Sequence, residues 1–137
     1  MRYLILLLAI AGIIISSMAV RLHFSTSTAP CDVNERWDCG TVNHSSFSEF
    51  YHVPVAAIGI AGYLLLACLS LARQRLATFL AAALGFLFAF RLSMIEQYGL
   101  GAWCLYCAIS QAIIGVILLL WTARRNLSGL LASASTR

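Results

Sequence analysis

Apolar residues run through this chain in four long, nearly unbroken stretches: Tyr3–Val20, Val53–Ala72, Leu76–Met94 and Trp103–Ala123. Each is about the length a helix needs to cross a hydrocarbon core of roughly 30 Å. The stretches are apolar all round, so no single-face periodicity marks a helix resting on a soluble core. Inside a bilayer every backbone group must be satisfied within the protein, which leaves helices or a closed barrel. Barrel strands alternate apolar and polar positions, and these stretches do not. The pattern predicts an all-α protein: an integral membrane four-helix transmembrane bundle with a partly ordered extracytoplasmic loop. The expected helices cover about 3–20, 53–72, 76–95 and 103–123, with the loop at 21–52, in one domain over 1–137.

Composition narrows the classes further. Hydrophobic residues make up 61%, charged residues 10%, and mean hydropathy is +0.88. A soluble domain is roughly half apolar and about one quarter charged, and a disordered chain is poorer still in apolar residues. Both classes are excluded. The net charge of +4 comes from scattered Arg with no Lys, so no basic stripe offers itself to nucleic acid. Met1-Arg2-Tyr3 before Leu4–Ile15, with Ser17-Met18-Ala19 following, also fits a signal peptide. The length of the run, to Val20, favours a retained helix.

Arginine placement orients the bundle. Arg2, Arg73, Arg75, Arg124 and Arg125 flank one set of helix ends, while Asp32, Glu35, Asp38 and Glu49 lie in the first loop. Both termini are therefore expected in the cytoplasm, with the first loop and the 96–102 connection outside; Arg21 is a mild exception. The loop carries Trp37, Phe47, Phe50 and Tyr51, residues that suit a membrane interface. It is expected to fold back over the bundle, with a short helix after Ser45.

Four of the five cysteines then share the outward side, where disulfides persist. Cys31 and Cys39 lie in the loop; Cys104-Leu-Tyr-Cys107 opens the last helix. A helix N-terminus presents free N–H groups and partial positive charge that stabilise a thiolate, and a low thiol pKa favours exchange chemistry. Cys104 is expected in the first turn near the surface, with Cys107 one turn deeper, where a lipid-soluble electron acceptor can reach it. Cys68, alone in the second helix, reads as a small buried apolar residue. Covalent haem attachment needs a His after the pair, and Ala108 stands there. A four-Cys zinc site fits the count but not the seven-residue loop spacing. Two structural disulfides explain Cys31 and Cys39 better than they explain a Cys-x-x-Cys at a helix start.

The order and spacing of these parts resemble the vitamin K epoxide reductase family and its bacterial homologues. The resemblance rests on Cys31-Asp32-Val33 with Cys39, Ser45-Ser46-Phe47-Ser48, and Val53-Pro54-Val55-Ala56-Ala57-Ile58-Gly59. It continues with Glu96 and with Trp103-Cys104-Leu105-Tyr106-Cys107. It implies that Cys31 and Cys39 are a loop shuttle pair and that Cys104 and Cys107 are the active-site pair, with Cys107 beside a quinone. Cys39 would exchange with Cys104, leaving Cys31 to meet the partner, and Ser45 would lie near the pocket. The implied partner is a thioredoxin-like extracytoplasmic oxidase and the implied location a bacterial inner membrane.

The chain departs from the vertebrate members at Gln111, where they have Tyr, and at Val55, where they have Asn. These departures favour quinone reduction, with ubiquinone, menaquinone or vitamin K as acceptor, over epoxide reduction. Arg91 is expected to face the bundle interior, as a donor near the quinone oxygen or the Cys107 thiolate; snorkelling to the interface competes with that role. Glu96 and Trp103 are read as pocket residues or as interfacial ones. The disulfide bond protein B family is the nearest rival, but its Cys-x-x-Cys precedes helix two. Two further rivals are vitamin K epoxide reduction proper and a disulfide- or metal-holding structural membrane protein.

Overall fold

The computed structural model describes residues 1–27 and 31–135. Its helices are α1 (Arg2–Phe24), α2 (Cys39–Asn43), α3 (Val55–Leu71), α4 (Arg75–Ile95) and α5 (Leu105–Ser135). A 3₁₀ turn, Ser46–Ser48, and a two-stranded hairpin of β1 (Glu49–Phe50) and β2 (Val53–Pro54) lie between α2 and α3, and a π-helical turn, Glu96–Leu100, extends α4. Among the described residues, three helical segments are long and apolar enough to cross a membrane: Arg2–Phe24, Arg75–Leu100 and Leu105–Ala134. Helix α3 has 17 residues, or about 25 Å at 1.5 Å per residue, the short end of the spanning range.

The predicted elements are all present, with shifted ends. Helix α1 runs on from Val20 to Phe24, so Arg21 is helical and the loop starts later than position 21. Residues 53–54 pair as a strand rather than opening a helix, because Pro54 fixes its own φ and turns the preceding residue away from helical geometry. Helix α5 begins at Leu105 rather than 103, and Arg124 and Arg125 lie inside it.

Two buried clusters hold the bundle. One joins Ile5, Ala9, Tyr63, Leu66, Ala82, Ile114 and Ile117 across α1, α3, α4 and α5. A close approach occurs at Gly12, where a Cβ would run into the Tyr63 ring. The other cluster joins Ala19, Leu22, Cys31, Cys39, Val42, Ala102, Cys104 and Tyr106, and it is where the loop folds back. Many leucines, such as Leu7, Leu84 and Leu119, point outward, as a lipid-facing surface requires. Cys68 is exposed on that same surface, so its expected burial is corrected: the uniformly apolar sequence of α3 does not reveal which side faces in.

The hairpin turn Tyr51-His52 has φ of 52° and 64°, the left-handed pair that a tight two-residue turn demands. It leaves Phe50 and Tyr51 exposed in edge-to-face contact, centroids 4.8 Å apart. At the other end, α3 stops in a Schellman motif. The Arg73 N–H bonds Ser70 O at 3.2 Å and the Gln74 N–H bonds Leu69 O at 3.1 Å, with Arg73 itself at φ 58°.

Candidate functional site

Residues 36–38 lie alongside Trp103 as a short parallel bridge. The Trp103 N–H donates to Arg36 O at 2.8 Å, and the Asp38 N–H donates to Trp103 O at 3.1 Å. The Asn34 side chain accepts from the N–H groups of Arg36 and Trp37, which turns the chain into that bridge. Pairing at residue 103 sets the next residues of the two segments, Cys39 and Cys104, together.

Asp38 caps α2. Its carboxylate accepts from the Thr41 N–H at 2.8 Å and the Thr41 hydroxyl at 2.7 Å; these bonds, the backbone one first, hold the carboxyl below its ordinary value. Asp32 accepts from the Gly40 N–H at 3.1 Å. Cys31 and Cys39 are joined by a disulfide, with Cα atoms 5.7 Å apart.

Cys104 is the residue before α5 and acts as its cap. Its carbonyl accepts from the Ala108 N–H at 3.0 Å and its sulfur from the Cys107 N–H at 3.4 Å, as a capping oxygen does. The Leu105 N–H points at Cys39 Sγ, 3.3 Å away. The first N–H groups of α5 therefore meet sulfurs of both cysteine pairs. Cys104 is fully buried rather than near the surface, because the loop lies over it. The sulfurs of Cys31, Cys39 and Cys104 lie within 4.8 Å of one another; two are bonded to each other, which removes them as thiolate ligands for an ion. The Cys107 thiol donates to Cys104 and, with help from Asn43, lowers the Cys104 pKa; burial and the Glu96 carboxylate oppose it.

Beneath the sulfurs lies a cavity of about 390 Å³. Its loop side is lined by His23, Val42, Asn43, Ser45, Phe47 and Ser48. Val55, Ile58 and Gly59 of α3 and Leu84, Gly85 and Phe88 of α4 form the walls, and Cys107, Ser110 and Tyr63 lie at the α5 side. Leu65 and Leu84 line it and also face outward, so the cavity reaches the lipid side between α3 and α4. Its few polar groups are largely paired: the Tyr63 hydroxyl donates to Ser110 O at 2.7 Å. His23 contacts Asn43 O at 2.6 Å and Glu49 at 3.1 Å, and Ser45 donates to Val42 O at 2.8 Å.

Of the expected site residues, Cys107, Ser45 and Glu96 line this cavity. Glu96 is buried and accepts from the Cys104 N–H at 3.2 Å, so it supports the thiol segment directly. Cys31, Cys39 and Cys104 lie outside its lining, and so do three expected pocket residues. Arg91 is exposed on α4, which corrects its expected inward role: the π turn beyond it carries Glu96, not Arg91, to the interior. Trp103 donates its indole N–H to Gln97 at 2.9 Å and lies beside Trp37, ring centroids 6.2 Å apart. Gln111 pairs with the Ser93 hydroxyl, linking α4 to α5.

A family model for the vitamin K epoxide reductase family matches residues 3–122. The chain belongs to that family. Membership makes it a membrane redox protein whose function links thiols and quinones. Among curated proteins, none matches the chain. Vitamin K epoxide reductase family members are helical membrane bundles, and the arrangement of α1, α3, α4 and α5 is of that kind.

Four residues of the site, Asn43, Asp38, Tyr63 and His23, are not singled out by the sequence pattern. Asp38 was detectable as a cap candidate directly before Cys39. Asn43 was not: its partner Cys104 is 61 positions away.

Proposed function

We propose that this protein is a thiol:quinone oxidoreductase that re-oxidises a thioredoxin-like partner outside a bacterial inner membrane. The observation that carries the reading is the juxtaposition of three sulfurs within 4.8 Å with a fourth, Cys107, on the wall of an apolar cavity. A thiol of a dithiol partner attacks Cys31, forming a mixed disulfide with it and releasing Cys39 as a thiolate; the partner's second thiol then attacks that mixed disulfide, freeing Cys31 and forming the partner disulfide, so the loop holds two thiols. The Cys39 thiolate attacks Cys104 of an oxidised Cys104–Cys107 pair. Cys31 resolves that mixed disulfide, restoring Cys31–Cys39 and leaving Cys104 and Cys107 reduced. The direction of such exchange follows the relative potentials of the pairs. Cys107 passes two electrons to a quinone in the cavity, two protons follow to give the quinol, and Cys104–Cys107 re-forms.

The cavity suits a quinone ring. It lies within the range of about 300–1,000 Å³ usual for small-molecule sites, which are mostly apolar with few polar groups. The opening beside Leu65 and Leu84 suits an isoprenoid tail, and the quinone is ubiquinone, menaquinone or vitamin K. Both termini lie in the cytoplasm and the Cys pairs outside, consistent with Arg2, Arg73 and Arg75 lying at the ends of α1, α3 and α4 away from the cysteines, and with Arg124 lining the same cavity from within α5.

The test is quinone reduction by purified protein, driven by a reduced thioredoxin-like protein. Cys107→Ala is expected to abolish quinol formation while the fold survives. A Cys31→Ala/Cys107→Ala variant treated with oxidised glutathione is expected to accumulate a Cys39–Cys104 disulfide, read by peptide mapping. Quinol formation by Cys107→Ala at the wild-type rate overturns the reading.

A further inference from the structure

A second cavity, of about 360 Å³, lies at the opposite end of the bundle, roughly 30 Å along α1 from the thiols. Arg2, Arg73, Arg75 and Arg124 line it, with Ile5 and Trp121. No carboxylate is among its lining residues; all five acidic residues lie in the first loop or at Glu96. Arg2 is engaged with Tyr3, donating to its hydroxyl at 2.7 Å. Among the described residues, the guanidiniums of Arg73, Arg75 and Arg124 have no hydrogen-bond or ion-pair partner.

Two further observations point to a ligand. The Trp121 indole nitrogen is buried without a hydrogen-bond partner, and a buried unpaired donor is costly. Arg73 occupies the left-handed position of the α3 cap, φ 58°, where glycine is the unstrained residue. The orienting effect of basic residues explains why arginines flank these helix ends. It does not explain their convergence on one cavity, the unpaired indole, or a long cationic side chain at a glycine position.

We propose that this cavity binds a phosphate group, that of an anionic phospholipid headgroup. Guanidiniums form charge-assisted, often bidentate bonds to phosphate oxygens. Helix α4 also begins here, at Arg75, with no side-chain cap, so its first N–H groups and dipole favour an anion. The source is lipid because the cavity lies where α1 begins, α3 ends and α4 begins, at headgroup depth, with Ile5 and Trp121 beside the guanidiniums to meet acyl chain. Basic pockets between membrane helices bind anionic headgroups in this way.

The experiment measures lipid retention by native mass spectrometry and thermal stability in detergent, using phosphatidylglycerol, phosphatidylcholine and soluble glycerol phosphate. Phosphatidylglycerol is expected to be retained and to raise the melting temperature; the other two are not. Arg75→Gln and Arg124→Gln should each weaken retention about fivefold. Arg73→Gly should keep or raise the lipid-free melting temperature yet lose most of the gain from phosphatidylglycerol, an outcome a purely structural arginine does not produce. Trp121→Phe should reduce the gain, and Arg36→Gln, in the outer loop, should leave it unchanged. Equal stabilisation by phosphatidylcholine, or full retention by Arg73→Gly and Arg124→Gln, overturns the proposal. Equal stabilisation by glycerol phosphate overturns the lipid source in favour of a soluble phosphate.

Discussion

The Asn43 side-chain amide donates to Cys104 Sγ across 3.5 Å while also donating to Cys39 O at 2.9 Å. One residue of the loop helix thus fixes the Cys39 carbonyl and donates to the Cys104 sulfur. Asn43→Ala removes a donor that favours the charged sulfur, so Cys104 is expected to need a higher pH to ionise. Cys107→Ala should raise it further, because the Cys107 thiol is the largest cause of the lowering; Cys107→Ser, which keeps a donor, should restore much of it. The measurement is the pH profile of Cys104 alkylation, read by mass spectrometry.

Glu96 acts on Cys104 in two opposed ways. Its oxygen accepts the Cys104 N–H, while its charge disfavours the thiolate. Glu96→Gln keeps an acceptor and removes the charge, so the alkylation profile should shift to lower pH with little loss of stability. Glu96→Ala leaves a buried N–H unpaired and should cost about 1–3 kcal/mol. Thermal unfolding of the two variants separates the effects; equal destabilisation would argue against the hydrogen bond.

Gly12 admits the Tyr63 ring, whose hydroxyl ties α3 to Ser110 of α5 at the cavity side. Gly12→Ala forces the ring aside and should cost about 1–3 kcal/mol by overpacking. Tyr63→Phe loses one buried hydrogen bond, about 1 kcal/mol, while keeping the ring. If the cavity holds quinone, Gly12→Ala should raise the quinone KM more than Tyr63→Phe does, as steady-state kinetics would show.

Asp38 gives the loop an acid-sensitive hinge. Its folded pKa lies below the ordinary value because Thr41 donates to it. Its contribution is therefore complete above the unfolded value of about 4 and is lost as pH falls through the lower folded value. Asp38→Ala should cost about 1 kcal/mol at neutral pH and flatten the stability profile in that acid window. Melting curves across the window check it; an unchanged slope would remove Asp38 from the account.

The spans were legible in the sequence because insertion in lipid depends on local composition, and 137 residues so apolar leave little choice. The arginines at the helix ends and the Cys104-x-x-Cys107 step into α5 were legible for the same local reason. Rotation about each helix axis was not. Arg91 and Cys68 turned outward and Glu96 turned inward, because all-round apolar helices carry no marked face and packing alone chooses one. Which sulfurs meet was also settled by tertiary contact. The pairing of residues 36–38 with Trp103, and Asn43 reaching Cys104 from 61 positions away, depend on a loop folded over the bundle. The same holds for the unpaired Trp121 indole among arginines drawn from α1, α4, α5 and the turn after α3. Sequence by itself determined that the chain is a helical membrane protein and where its helices run. Tertiary packing, which acts between residues far apart in the chain, decided what its side chains do there.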